Sequence, residues 1–465
     1  MSFVADLSAL VDASTDPRLC CPDGWTRVPL GSIAKIINGF PFKSGGFGAV
    51  GHPVIRIRDV ARGFTNTQFD GAAPDGYWVE AGELVVGMDG DFQTAFWRSD
   101  RALLNQRVCK IVPDETRIDR RYLAYILPGY LELINANTPS VTVKHLSSRT
   151  LASIPVPLPS LDRQVRIADR IDELFVEIDD GEAALARARD DLETWRKALL
   201  KAAVTGELTA DWRAANPSTE TGTDLLTRIL VERRSRWQAE PKNKGKGYKE
   251  PLAPSMDSLP TLPAGWVWAS FDQLVDQLSN GISAKPAHAP PGIPILRISS
   301  VRPMLVRDDQ RRWLSQDFAV GGALARKGDL LFTRYNGNPG LVGVCGRYRG
   351  EIPVAYPDKV MCATPSSCND AVGDFLELAM NAGASRRHIA ASTKTSAGQH
   401  GVSGSSVKVA PVPIPPQAEL EHIVQVYRDA ALQAEDGWSD ANELTAISTT
   451  LRQSILAAAF RGELA

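Results

Sequence analysis

The sequence predicts an α+β chain assembled twice: two pseudo-symmetric α/β modules separated by two long helices that pair as an antiparallel coiled coil. Three observations predict it. Short motifs recur in the same order in both halves of the chain. The later motifs recur at one constant offset, whereas the earlier ones drift. The stretch after each late motif carries a 3.5-residue apolar repeat.

Pro22-Asp23-Gly24-Trp25 returns as Pro263-Ala264-Gly265-Trp266, 241 residues on. Pro53-Val54-Ile55-Arg56-Ile57 returns as Pro294-Ile295-Leu296-Arg297-Ile298. Gly82-Glu83-Leu84-Val85 returns as Gly328-Asp329-Leu330-Leu331, at an offset of 246. The proline ladder Ile154-Pro155-Val156-Pro157-Leu158-Pro159 returns as Ala410-Pro411-Val412-Pro413-Ile414-Pro415 at 256, and Gly206-Glu207-Leu208 returns as Gly462-Glu463-Leu464 at the same 256. A drifting offset marks loops that tolerate insertion. A fixed offset marks helices whose register matters. The division that follows is an N-terminal extension (1–21), a first module (22–160), a first long helix (161–208), a linker with a short helix (209–262), a second module (263–413) and a second long helix (414–465).

Within the modules, residues 54–57, 84–87, 293–298 and 330–333 are short β-rich runs punctuated by glycine and proline. Residues 121–127 and 374–382 read as helices. In the linker, 223–237 reads as a helix and the polar, lysine-rich 239–250 as a mobile connection. The first long helix carries its seam at Ile167, Ile171, Leu174, Ile178, Gly181, Leu185, Ala188, Leu192, Trp195, Leu199 and Ala202. The second carries Ile423, Tyr427, Ala430, Ala434, Gly437, Ala441, Leu444, Ser448, Leu451, Ile455 and Ala458. Each helix would run about 65 Å. Gly181 and Gly437 share a register. A mid-helix glycine costs about 1 kcal/mol, and close backbone approach at a crossing would offset that, so these two glycines are the expected crossing point.

Composition narrows the function. No apolar run reaches the roughly 18 residues of a membrane span, and the N-terminus lacks the basic start and apolar core of a secretory signal. Six cysteines among 465 residues, with no CxxC pair, fit neither a disulfide scaffold nor a zinc ribbon. A reduced, cytoplasmic protein is expected. The net charge of −2 conceals a sorting: the modules carry +2 and +5, the long helices −4 and −5. Basic modules suit contact with nucleic acid, and acidic helices avoid phosphate.

Catalytic signatures are missing from the sequence. There is no GxxxxGK[ST] phosphate loop and no Asn/Asp-Pro-Pro-aromatic motif of a DNA amino-methylase. Asn338-Pro339-Gly340 reads as a turn. Pro357-Asp358-Lys359 lacks the further acidic and lysine residues of a nuclease, and the six histidines show no ligand spacing. The candidates are instead polar groups on glycine- and proline-rich loops, because base edges are read by Arg, Lys, Asn and Gln. In the first module these are Asn38, Lys43, Arg56, Arg58, Gln106, Arg107 and Lys144. In the second they are Lys285, Arg297, Arg334, Tyr335, Asn336, Asn338, Lys394, Gln399 and His400. The tract Arg334-Tyr335-Asn336-Gly337-Asn338 is the strongest, with residues 393–400 as a flexible loop that orders on DNA. Arg56 and Arg297 hold matched repeat positions and point to a shared role, a phosphate contact or an internal salt bridge.

The duplicated PxGW turn, the phrase Thr395-Ser396-Ala397-Gly398-Gln399, the proline ladder leading into a long helix, and the closing Gly-Glu-Leu together resemble the specificity subunits of type I restriction–modification systems. The resemblance implies two target recognition domains, each reading one half of a split double-stranded DNA target. It implies long helices that act as a ruler, with half-site centres about one to two DNA turns apart. It implies two modification (methyltransferase) subunits and, where the system restricts, two restriction (translocase–nuclease) subunits. Those partners would carry S-adenosylmethionine and ATP with Mg²⁺, leaving this chain without catalysis, cofactor or metal and with no membrane contact. The chain departs from the family at the helix starts: Arg163 replaces a Glu in the first copy, and Leu420 a Gln in the second. Two other readings remain open on the residues alone, a fused methyltransferase–nuclease and a coiled-coil adaptor that never touches DNA.

Overall fold

The computed structural model describes residues 6–139, 143–318, 320–367, 369–396 and 398–464. Of Ser396 and residues 435–446 it describes the backbone only. The chain divides into two compact units, residues 1–187 with 440–465, and residues 188–439.

The first module is built on an antiparallel sheet in the order Ala34–Asn38, Val108–Pro113, Leu84–Gly87, Thr94–Phe96. A second sheet pairs His52–Ile55 in parallel with Ala102–Leu104. The second module repeats both. Its antiparallel sheet runs Val275–Asn280, Val360–Pro365, Leu330–Thr333, Cys345–Arg347, and its parallel pair is Ile293–Ile295 with Val354–Ala355. The expected strands 84–87 and 330–333 fall where the apolar runs placed them, since all four residues of each are buried. The helix expected over 121–127 continues from Arg120 to Ala136 through Pro128. Apolar positions on both sides of that proline (Ile126, Leu127, Tyr130, Leu131, Ile134) are buried, and their packing outweighs the lost hydrogen bond.

The proline ladder is an edge strand. Pro155–Leu158 pairs antiparallel with Thr26–Pro29, with Val28 opposite Val156. Prolines at alternate positions turn every missing N–H to the same edge. The carbonyls on that edge are taken by the helix instead: the Tyr130 hydroxyl donates to the Pro155 oxygen at 2.7 Å and the Tyr122 hydroxyl to the Pro157 oxygen at 2.8 Å. The second ladder, Pro411–Ile414, pairs with Val267–Ser270, and Ser385 Oγ donates to the Pro411 oxygen at 2.6 Å.

The two long helices span Leu161–Thr205 and Gln417–Phe460, 45 and 44 residues. Within the first unit the start of one packs with the end of the other, since Ile167, Ile171, Ala459 and Phe460 share a core. Within the second unit Ala203 and Val204 share a core with Leu420 and Ile423. The pairing is antiparallel in each. The seam differs in detail from the expected one. Half-buried positions run 178, 182, 185, 189, 192, 196, 199, while Gly181, Ala188 and Trp195 are exposed. Glu182, Arg189 and Arg196 lie along the stripe, and the aliphatic stems of such side chains cover apolar surface while keeping the charge in water. Around Gly181 no described atom lies within 4 Å of where a Cβ would stand. It opens instead on a cleft of about 440 Å³ lined by Leu174, Ile178, Leu185 and Leu451. The close approach expected there is therefore absent among the described residues. The side-chain surroundings of its proposed partner, Gly437, lie outside them.

The recurrent motifs meet. In the second unit a Cβ on Gly206 would stand 2.7 Å from Pro263 Cγ and 3.1 Å from the Trp266 ring. In the first, Gly462 lies against Pro22 in the same way, at 3.4 Å. Both glycines have φ near +78°, the left-handed conformation that ends a helix. Each closing Gly-Glu-Leu thus docks on the PxGW turn of the other repeat. The charges at the two docks differ. Buried Glu419 accepts from Trp266 Nε1 and Arg213 Nε, both at 2.9 Å, and from Thr209 Oγ1 at 2.7 Å. Its counterpart Arg163 reaches the Gly462 oxygen at 3.3 Å and lies over the Trp25 ring.

The linker is tied down. Its helix runs Gly222–Ala239, and the expected mobile stretch folds back so that Tyr248 meets Trp237 at 5.3 Å between ring centres.

Candidate nucleic-acid interface

In both modules the polar tip is built on one main-chain framework. In the first, Met88 N–H donates to the Arg107 oxygen at 2.9 Å and Leu146 N–H to the Met88 oxygen at 2.7 Å, with Asp89 bridged to His145. In the second, Arg334 N–H donates to the Lys359 oxygen at 2.8 Å and Val402 N–H to the Arg334 oxygen at 3.0 Å, with Tyr335 paired to Gly401. Beside each framework a glycine lets two backbones nearly touch. A Cβ on Gly39 would stand 2.0 Å from the Asn105 oxygen, and one on Gly281 2.2 Å from the Pro357 oxygen. No side chain fits either place.

The side chains on this shared framework differ. At the first tip Asp89 is the centre: His145 Nδ1 lies 2.6 Å from its Oδ1 and Arg107 NH1 3.2 Å from its Oδ2. Gln106 and Arg107 are exposed, and the Gln106 N–H donates to the Phe40 oxygen at 3.0 Å, which binds this turn to the loop that carries Lys43. Asn38, at the end of its strand, donates to Ser148 Oγ at 3.2 Å. Lys144 is spent within the module: its ammonium donates to the Asn135 main-chain and side-chain oxygens at 2.6 and 2.9 Å, at the end of the helix.

At the second tip the two tracts picked from the sequence come together. Tyr335–Asn336 pairs with Gln399–Gly401, which pairs with Lys394–Ser396, in one three-stranded sheet. The stretch 393–400, expected as a flexible loop, is thus a hairpin in its described residues. Alternating polar residues gave no apolar period, so only the pairing partner defines these strands. The Arg334 guanidinium lies 4.9 Å from the Tyr335 ring centre, and its Nε has no hydrogen-bond partner among the described residues. Asn336 Oδ1 accepts from Asn338 N–H at 2.9 Å, and Asn338 Oδ1 from Gly340 N–H at 2.9 Å. The Asn-Pro-Gly string is therefore the turn the sequence indicated. Arg386 braces it, donating to the Val342 and Gly340 oxygens at 2.6 and 2.7 Å; burial pushes its guanidinium pKa down. His400 Nδ1 lies 2.9 Å from Thr395 Oγ1. Lys394, Gln399 and Lys285 are exposed. The framework hydrogen bonds thus bring Arg334, Asn336, Gln399 and His400 to one patch.

At Arg56 and Arg297 the main chain makes the same turn in both modules. Arg56 N–H donates to Asp59 Oδ2 at 3.0 Å, and Arg297 N–H to Ser300 Oγ at 3.2 Å. The Arg56 side chain lies over the Phe47 ring. Arg58 donates to Thr67 Oγ1 at 3.2 Å and stays exposed. His145 and Arg386, which the sequence reading did not name as tip residues, complete the tips together with Asp89 and Lys359. The repeat alignment contained the signal, since Asp89 corresponds to Tyr335 at 246 and His145 to Gly401 at 256.

Reactive chemistry has little to work with here. Burial pushes the Cys109 thiol up to about 12 and the Cys345 thiol well above its usual range, so neither is a nucleophile. Among the described residues no three His, Cys, Asp or Glu side chains gather as a metal would need, and no helix is long and apolar enough to cross a membrane.

The family described as the type I restriction modification DNA specificity domain matches residues 22–184. The chain is 34% identical to the type I restriction enzyme EcoBI specificity subunit of Escherichia coli, over 100% of this chain and 91% of that one. It is 26% identical to the EcoKI specificity subunit of Escherichia coli strain K12, over 95% and 90%. In fold it resembles a chain from a type I R-M system solved for its complex assembly and conformational transition, with a TM-score of 0.64 and 15% identity over 96% of this chain and 99% of that one. The HsdS subunit of Thermoanaerobacter tengcongensis aligns with a TM-score of 0.52 and 16% identity, over 95% and 98%.

Proposed function

This chain belongs to the type I restriction enzyme specificity subunits, and we propose that its two tips each read one half of a bipartite double-stranded DNA target. The observation that carries this reading is the shared framework with unshared side chains. A duplicated scaffold that served one common purpose would keep the residues it displays. Two readers of different half-sites must differ there and nowhere else in the frame.

The second tip offers an arginine, which pairs bidentately with guanine, and asparagines, which pair with adenine. Stacking on Tyr335 limits the rotamers of Arg334 and so lowers the entropy lost on contact. The first tip offers Arg107, held by Asp89. A carboxylate at a DNA surface repels phosphate unless it is neutralised, and here the Arg107 guanidinium and the His145 ring face it. Exposed Lys43, Arg58, Lys285 and Lys394 suit phosphate, which fixes register without reading sequence.

Recognition is then this chain's task, and chemistry belongs to its partners. Two modification subunits, with S-adenosylmethionine, would methylate the bound target. Restriction subunits, with ATP and Mg²⁺, would cut unmodified DNA. The assembly would act in the cytoplasm, on the DNA present there.

The test is methylation mapping of cells that carry the partner methylase and either the native chain or Arg334→Ala. The variant is expected to relax one base position in one half-site, a loss of about 1–3 kcal/mol in discrimination, with the other half-site unchanged. An unaltered methylation pattern would overturn the placement of the second tip on DNA.

A further inference from the structure

Each module is held to a long helix by an ionic hub, and the two hubs have opposite sign. In the first unit the hub is a cation. Arg121, in the first turn of Arg120–Ala136, lies 2.8 Å from Asp169 and 2.7 Å from Asp172 on the long helix, and 3.7 Å from Asp119. The Tyr125 hydroxyl also donates to Asp172. In the second unit the hub is an acid. Asp374, in Asp370–Asn381, lies 2.9 Å from Arg428 on the long helix, 2.8 Å from Arg347 and 3.1 Å from Arg349.

The long-helix partners hold the same register: Asp172 and Arg428 are 256 residues apart, the constant offset of the helices. The module helices align through their N-caps, Asp119 and Asn369. In that alignment Arg121 corresponds to Ala371, and Asp374 to Ala124. Each module therefore presents a charge that the other lacks, and each long helix presents its complement. Had only one side of this contact changed after the duplication, like charges would now face each other. Both sides differ together, which marks the charge pairing itself as the constraint.

We propose that the hubs are a seat code. The long-helix segment around Asp172 accepts a recognition module whose helix begins with a cation, and the segment around Arg428 accepts one with an acid a turn further on. Set on the first seat, the second module would bring Asp374 against Asp172 and Asp169. Set on the second seat, the first module would bring Arg121 against Arg428. Like charges across a contact reject a wrong partner more effectively than attraction selects a right one. The code concerns how modules are held and stands apart from which bases they read.

The experiment is amide hydrogen exchange on full-length chains, followed by mass spectrometry of residues 120–136. Asp172→Arg with Asp169→Gln gives the first seat the residues the second seat holds, Arg428 and Gln425. This recoding is expected to speed exchange about tenfold, as is Arg121→Asp alone, and the combined variant is expected to regain most of the protection, because charge-paired sites couple. A combined variant no better than the sum of its parts would overturn the code. A chimera with residues 22–160 replaced by a copy of 263–413 extends the test. It should be about tenfold better protected on the recoded seat than on the native one, and equal protection on both would overturn the code as well. Should neither chimera fold, the cycle in the native chain decides alone.

Discussion

At the same place on the same backbone, the first module carries a carboxylate between an arginine and a histidine and the second carries an arginine over a tyrosine. The main-chain hydrogen bonds beneath them match bond for bond. The difference separates two kinds of requirement. The frame must satisfy backbone N–H and C=O groups that are out of reach of water, and only a few geometries do so. The tip faces solvent and meets no such demand, so its side chains are free to follow a ligand.

The frame can be broken first. Gly39→Ala and Gly281→Ala each drive a Cβ into a main-chain oxygen, at 2.0 and 2.2 Å. Neither oxygen can yield without shifting a strand. Each substitution is expected to cost about 3 kcal/mol or more, read as a lowered Tm and loss of binding to the half-site of that module. A harmless alanine at either position would mean that the two frames are not equivalent.

The docks of the two closing motifs come next. Glu419→Ala leaves Trp266 Nε1, Arg213 and Thr209 without their acceptor and should cost about 3 kcal/mol. Arg163→Ala removes a cation–π contact and one long hydrogen bond and should cost about 1 kcal/mol. Urea unfolding of the two variants measures the contrast, and equal losses would show that the docks are energetically alike despite their opposite charges.

At the tips the effects are smaller. Asp89→Asn releases Arg107 and His145 without changing shape. It is expected to blur one base position by about 1 kcal/mol, in the half-site that Arg334→Ala leaves intact. Mapping both variants in one strain assigns the half-sites, and blurring of the same half by both would refute the one-tip, one-half division. Smallest is Lys394→Ala. Its effect should be uniform over sequences and should lower the slope of log affinity against log salt by about 1. A change of sequence preference instead would make Lys394 a base reader.

Much of this was legible before any coordinates. The duplication, the long helices and the strands 84–87 and 330–333 follow from periodicity, because burial enforces period on apolar residues. What periodicity does not reach is polar. The hairpin of 394–396 with 399–401 contains Lys394, Thr395, Gln399 and His400, and no alternation marks it as strand. The seam slipped for a related reason. A heptad reading assigned the small residues to the interface, whereas the half-buried stripe keeps the same alternation of four and three with every second position one residue later, at 182, 189 and 196. Arginine stems took the places assigned to Ala188 and Trp195. Of the candidate residues, the sequence named Arg107 but not its pairing with Asp89, since an ion pair between two turns leaves no pattern along the chain.

The sequence by itself determined that this chain repeats one set of motifs in one order, and at which offsets. Repetition at a fixed offset survives only where structure forbids insertion, and it can be read without knowing that structure. The tertiary structure alone decided which copy's closing motif meets which turn, and which polar side chains converge on each tip. Those pairings join residues far apart in the chain through charge and hydrogen bonding. Such forces act over a few ångströms of space and leave no periodic trace along the sequence.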